Sequence, residues 1–277
     1  MTRLTAVALA VLGALFLLPA PVGHADCTAG AGQLDCDFQQ RISQADSYLA
    51  DRPGTVGYVL RDRLTGAVYR NARADDLIWS ASTIKLAIAV DLLTRNRSGA
   101  IRLTPGDQQL MQAMIHSSDN DATDTLWSRY GGGDHQTFNR DFPAYGMTSL
   151  TPQRGFSDIF PYWGFQKTTA NDLDRLMTFT LTRMTSLETA ALVSEMQNVD
   201  ADQQWGVWGA GPSMAPGNKN GWSQEQGGWV VNSVGFAGPG QRYTLAVMNA
   251  LGGAGGYDDG VATTTRLAEL LLAGRSS

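Results

Sequence analysis

The chain has 277 residues and a formal charge of −5, with 31 glycines, 7 tryptophans and only 2 cysteines. An acidic chain without a Lys/Arg cluster excludes nucleic acid as the natural partner, and its apolar content is too high for a disordered chain. Beyond the first 22 residues no long apolar run occurs, which excludes a multi-pass membrane protein.

Residues 1–25 read as a secretory signal peptide. Arg3 precedes an apolar run over 4–22, and Gly23-His24-Ala25 supplies small residues three and one before a cut. Export would take Arg3 away and leave the chain one charge more acidic. A lipid on Cys27 is disfavoured because Asp26 stands where a small residue would be needed. The expected location is therefore secreted, periplasmic or in the cell envelope, with no integral span in the mature chain. Cys27 and Cys36 are the only cysteines, and in an oxidising compartment they most economically pair with each other. That pair would staple an N-terminal tail over 26–40.

From 55 to 71, Val56, Tyr58 and Leu60 alternate, a turn falls at Leu64-Thr65-Gly66, and Val68 and Tyr69 follow, which predicts two short strands. Ile84, Leu86, Ala87, Val90 and Leu93 recur at helical spacing over 82–94. Further helices are expected at about 106–116, 120–129, 170–182 and 185–197. The third of these is preceded by Thr169 with Asp172 three residues on, a capping-box pattern. After about 205 the texture becomes strand-like at 229–231, 234–236 and 243–248, and a helix closes the chain at about 261–273. Strands at both ends and helices between them predict an α/β (α+β) fold. One antiparallel sheet would be built from both chain ends, flanked by helices, with an inserted and mostly helical subdomain. The corresponding division is a single domain over 41–277. Its sheet part covers about 41–80 and 205–277, and its helical part about 81–204.

Three short motifs carry the chemistry. Ser82-Thr83-Ile84-Lys85 places a hydroxyl and an amine one helical turn apart, at a helix start where backbone N–H groups are unpaired. A lysine whose pKa is lowered by burial can take the serine proton. Ser118-Asp119-Asn120 opens the next helix but one, offering a proton relay and an amide-binding asparagine, or simply a helix cap. Lys219-Asn220-Gly221 enters a strand, with positive potential at the lysine and close backbone approach at the glycine, or simply an Asn-Gly turn. Each motif alone is common. Outside the signal peptide only His116 and His135 are available, so neither a metal site nor a serine–histidine–acid triad is well supplied, and no cofactor is implied.

In order, S-x-x-K, S-D-N and K-x-G resemble the motif set of class A β-lactamases and penicillin-binding proteins, the D-Ala-D-Ala peptidases. Thr168-Thr169-Ala170-Asn171-Asp172-Leu173 resembles the helix start after that family's omega-shaped loop. Asn232-Ser233-Val234-Gly235 resembles the strand after its K-T-G strand. The resemblance spans nearly the whole mature length and implies a serine β-lactamase-like hydrolase or acyltransferase. It makes Ser82 the nucleophile and Lys85 the base or relay, and puts Ser118 and Asn120 on the facing wall. Lys219, Asn220 and Gly221 would meet the substrate, and the N–H groups of Ser82 and Trp222 would form an oxyanion hole. The implied ligand is a β-lactam or a peptidoglycan-like peptide; the sequence does not fix the oligomeric state, and a monomer is the expectation.

The pattern also departs from the family. Residues 151–167, where the deacylating glutamate is expected, hold no glutamate, and their sole acid, Asp158, would substitute for it as a catalytic residue if the loop takes another path, or simply cap a turn. Asparagine replaces threonine or serine at 220, the strand after Lys219 carries no arginine, and the span from Ser82 to Ser118 is short. Acylation with slow deacylation is the expectation. A D-alanyl-D-alanine carboxypeptidase, or a non-catalytic binder of cell-wall fragments or of a partner, are the alternatives.

Overall fold

The computed structural model describes Cys27, residues 32–225 and residues 227–275. The signal-peptide segment 1–25 lies outside the described residues. Cys27 is joined to Cys36 in a disulfide. Helix α1 (Cys36–Ala50) starts at that cysteine, capped by the Asp35 carboxylate, which accepts from Phe38 N. The sequence reading did not anticipate this helix; its buried positions are Phe38, Ile42 and Ala45, the i, i+4, i+7 spacing of a helix face.

The main sheet has five antiparallel strands in the order β2-β1-β8-β7-β6. Strands β1 (Thr55–Asp62) and β2 (Val68–Arg70) come from the front of the chain. Strands β6 (Gly217–Glu225), β7 (Gly228–Ala237) and β8 (Tyr243–Gly252) come from its end. β1 lies in the interior against β8, with Val56 opposite Asn249 and Leu60 opposite Leu245. Alternate residues therefore feed opposite cores. Tyr58, Leu60, Leu245 and Val247 pack toward α1 and the closing helix α8 (Tyr257–Leu272), whereas Val59, Ala246 and Met248 pack toward the helical part. Both faces are covered, so β1 is buried over most of its length instead of showing one wet face.

The inserted part runs through α2 (Ile84–Arg97), α3 (Pro105–His116), α4 (Asn120–Tyr130), the short α5 (Thr137–Asp141), α6 (Ala170–Thr182) and α7 (Ser186–Gln197). The sequence anticipated this arrangement of sheet and helical insertion. It did not anticipate a second, three-stranded sheet made by β3 (Ile78–Trp79), β5 (Gln166–Thr168) and β4 (Thr151–Pro152). These strands are two or three residues long, too short to show a period.

The Thr169 cap of α6 forms only half of the anticipated box. Its hydroxyl accepts from Asp172 N, but the Asp172 carboxylate turns to Thr168 Oγ1, Ser149 N and Arg175. Asp172 thus ties the strand before α6 to the loop after α5. Among the described residues no helix is long and apolar enough to cross a membrane, and no cluster of His, Cys, Asp and Glu is suited to a metal.

Candidate active site

Ser82 sits in a single 3₁₀ turn, Ala81–Thr83, directly before α2. Three elements pin that turn. The amide and hydroxyl of Ser80 both donate to Gln166 O on β5, at 2.8 and 3.0 Å. Asn232 on β7 donates to the carbonyls of Trp79 and Ser80. Thr83 Oγ1 closes the turn on Ser80 O at 2.6 Å. Ala81 is held at φ 44°, in the left-handed region that a residue with a Cβ occupies only under constraint. The position before Ser82 is therefore set by its surroundings rather than by local preference.

Edge strand β6 passes this turn so closely that only glycine fits at 221. A Cβ there would stand 2.7 Å from Ser82 N and 2.6 Å from Thr83 N. This is the physical content of the K-x-G motif, and it leaves the amide of Ser82 facing the backbone of β6.

Ser118 is the shared partner of two lysines. It too has a positive φ, 57°, just ahead of α4. Asp119 is the N-cap of that helix and accepts from Ala122 N. The S-D-N motif is thus both things the sequence allowed: its aspartate caps, while its serine and asparagine face the site. Lys85 Nζ donates to Ser118 O at 2.6 Å, to Ser118 Oγ at 3.3 Å and to Asn120 Oδ1 at 2.6 Å. Lys219 Nζ donates to the same Ser118 Oγ at 2.9 Å and to Asn220 O at 2.8 Å. With two amines donating to its oxygen, the Ser118 hydroxyl has its own proton free to give.

Both lysines are buried. Burial pushes the Lys85 amine down to about 7, against the opposing pull of Asp119 and Asp124. Lys219 is held well below the ordinary lysine range by burial and then by the neighbouring Lys85 charge. Two ammonium groups sharing one hydroxyl in a desolvated pocket oppose each other's charge. A neutral Lys85 near neutrality is the state in which it can accept a proton.

The cleft of about 240 Å³ at this site is lined by Ala81, Ser82, Asn120, Trp222 and Ser223, and by Tyr162-Trp163-Gly164-Phe165 from the loop ahead of β5. The Trp163 ring lies 4.8 Å from Lys85 Nζ.

Two residues singled out from the sequence are not brought into this cleft. Asp158 is exposed and is not among the cleft-lining residues. The Asn220 side chain lies on the other face of β6. It donates to Gln203 O and Trp205 O and accepts from Asn218 Nδ2. Alternation along a strand explains this, since Lys219 and Gly221 share one face and Asn220 takes the other. Trp222 takes that other face as well, its ring 5.9 Å from Trp205 and 5.6 Å from Tyr257. Sequence reasoning missed Asp124 and Trp163. Asp124, one turn beyond Asn120 on α4, accepts from Trp163 Nε1 at 2.7 Å and also from the Tyr162 hydroxyl. The spacing of Asn120 and Asp124 was the one available signal.

The fold is that of the β-lactamases, and comparison with known proteins agrees. The model of the beta-lactamase enzyme family matches residues 107–273, more than half of the chain, and the chain belongs to that family. Ser82 and Lys85 precede the matched span. Proteins of Mycobacterium tuberculosis and Mycobacterium bovis that carry the name lipoprotein LppW are 28% identical over 221 residues, which is 76% of this chain and 68% of theirs. The chain also shares its fold with a beta lactamase from Xanthomonas campestris pv. campestris, at a TM-score of 0.70 and 18% identity, covering 85% of this chain and 97% of that one. A beta lactamase from Burkholderia vietnamiensis superposes with a TM-score of 0.67 at 20% identity, covering 90% and 97%.

Proposed function

We propose that this chain is an acyl-transfer protein of the cell envelope that forms an ester on Ser82 with a β-lactam or a D-alanyl peptide and releases it slowly. The observation that carries this reading is that Lys85, Ser118, Asn120 and Lys219 share one hydrogen-bond network, and that Asn120 of this network lines, together with Ser82, a cleft whose loop wall supplies aromatic rings and no carboxylate. In the acylation step neutral Lys85 takes the Ser82 proton, directly or through Ser118, as Oγ adds to the carbonyl carbon. The N–H groups of Ser82 and Trp222 receive the developing oxyanion, where one donor typically contributes about 10²–10³ in rate. Ser118 then gives its proton to the departing nitrogen and regains one from a lysine. Release would need a base acting on water, and no acid among the described residues lines the cleft for that role.

An envelope location is supported by the Cys27–Cys36 disulfide, which suits an oxidising compartment, and by relatives that bear a lipoprotein name. In this chain the Cys27 sulfur is committed to Cys36, so a lipid on that atom is not part of the proposal.

The test is the intact mass of the mature protein after incubation with a panel of penicillins, beside Ser82→Ala. The expected result is a gain of one whole β-lactam mass that outlasts dilution and is absent from the variant. Rapid turnover of a chromogenic cephalosporin by clean protein would refute slow release. D-Alanine set free from a pentapeptide would assign the chain to the carboxypeptidases. Ligand binding that survives Ser82→Ala with no adduct at all would make it a binder.

A further inference from the structure

We propose that Trp163, latched by Asp124, sets the lifetime of the acyl-enzyme by filling the place beside Lys85 that a hydrolytic water would need. The inference rests on acylation at Ser82 and goes beyond it, because it assigns slow release to a part of the protein that is present rather than to an acid that is missing.

Three features of the loop wall carry it. First, Lys85 Nζ is enclosed. Its hydrogen bonds go to Ser118 O, Ser118 Oγ and Asn120 Oδ1, and the Trp163 ring covers it at 4.8 Å from the ring centroid. A water held by Nζ at roughly 2.9 Å and touching the ring at roughly 3.5 Å would require a separation of roughly 6 Å. The observed gap leaves no room for it on that side. Second, the ring is fixed. Trp163 is 6% exposed, and Asp124 Oδ1 accepts from both its Nε1 and the Tyr162 hydroxyl. Asp124 lies one turn from Asn120 on α4, so the latch and the Asn120–Lys85 contact are set by one rigid helix. Third, the loop is backed by a run of rings: Tyr162 on Phe165, Phe165 on Phe156, and Phe156 on Trp79 of β3. Strand β3 leads directly into the Ser82 turn.

Hydrolysis of the ester would need water to add to its carbonyl carbon while giving a proton to neutral Lys85. The collapsing intermediate would then expel Ser82 Oγ, which takes that proton back and leaves a free acid and a free serine. Each species balances, and the step fails for want of a seat for the water. The other charged groups facing Lys85 are Lys219 from β6 and Asp119 and Asp124 at the start of α4; the loop itself presents only rings.

The experiment follows the decay of a penicillin adduct by intact mass in the wild type, Trp163→Ala, Trp163→Phe, Asp124→Ala and Asp124→Asn, with folding checked by thermal melting. Trp163→Ala is expected to lose the adduct at least about 10-fold faster while forming it within about 3-fold of the wild-type rate, the signature of an effect confined to one step. Trp163→Phe keeps a ring in place and should keep the long lifetime. Asp124→Ala should shorten it, and Asp124→Asn, which retains the accepting oxygen, should restore it. A folded Trp163→Ala whose adduct lasts as long as the wild type's overturns the inference alone. If Trp163→Ala does not fold, an unchanged lifetime in Asp124→Ala overturns it. Absence of any adduct in the wild type removes the acylation reading and this inference together.

Discussion

The two walls of the cleft are built from different chemistry. On one side Ser82 stands in the turn before α2, while α2, the start of α4 and the edge strand β6 join Lys85, Ser118, Asn120 and Lys219 in one hydrogen-bond network, with positive φ at Ala81 and Ser118. On the other side the loop ahead of β5 contributes Tyr162, Trp163, Gly164 and Phe165, and its one acid, Asp158, stays outside. On the proposed reading the first wall moves a proton and tolerates a developing charge, and the second excludes water. A site with both properties would form a covalent bond more readily than it breaks one, and the difference would lie between two chain segments rather than in any single residue.

The comparison breaks most completely if the polar wall is disturbed at its narrowest point. Gly221→Ala would drive a Cβ to 2.7 Å from Ser82 N and 2.6 Å from Thr83 N, a separation that neither backbone can accommodate without moving. The expected outcome is loss of acylation by about 10²–10³, the scale of losing an oxyanion donor. The melting temperature should fall only modestly, because β6 is an edge strand. Adduct formation timed by intact mass checks it, and near wild-type acylation would mean that the Ser82 amide and β6 do not act together.

A smaller effect separates the walls by pH. Lys85 must be neutral to take a proton, and burial has brought its amine down from the ordinary 10.5 to about 7. The acylation rate should therefore rise as pH increases from about 6 to 8 and level off above that, following the neutral fraction. The decay of the adduct, limited by access of water at the aromatic wall, should vary less across the same window. An acylation profile that is flat or falls from pH 6 to 8 would take the base role from Lys85.

Much of the polar wall was legible in the sequence because each of its motifs has a local physical cause. Lys85 follows Ser82 by one turn. Ser118 and Asn120 flank a helix cap, and Gly221 marks a close backbone approach. The main antiparallel sheet was legible from the alternation in β1 and from the strand-like runs at 229–231, 234–236 and 243–248 that became β7 and β8. The aromatic wall was not. Residues 153–165 have no period, and their rings acquire a role only when Asp124, distant in sequence, accepts from two of them. Asn220 was misplaced for a simple reason: a motif read as a string ignores the two-residue alternation that turns its middle member to the other face. Helix α1 was missed because the cysteines drew attention to a staple, and the helix begins at the second of them.

The smallest expected effect concerns Asp158, the one acid of the loop. If it acted as a remote base for release, Asp158→Asn would lengthen the life of the adduct, since an amide cannot take a proton from water. The structure leaves the side chain exposed and away from the residues that line the cleft, while Trp163 occupies the approach to Lys85. A surface substitution of this kind ordinarily changes stability by less than about 0.5 kcal/mol. Adduct decay in Asp158→Asn should accordingly match the wild type within about 2-fold, which is roughly 0.4 kcal/mol in barrier height. A clearly longer lifetime would mean that the loop swings Asp158 inward once Ser82 is acylated. The aromatic wall would then act as a door that opens with the reaction and not as a fixed plug, and slow release would have to be traced to how rarely that door opens.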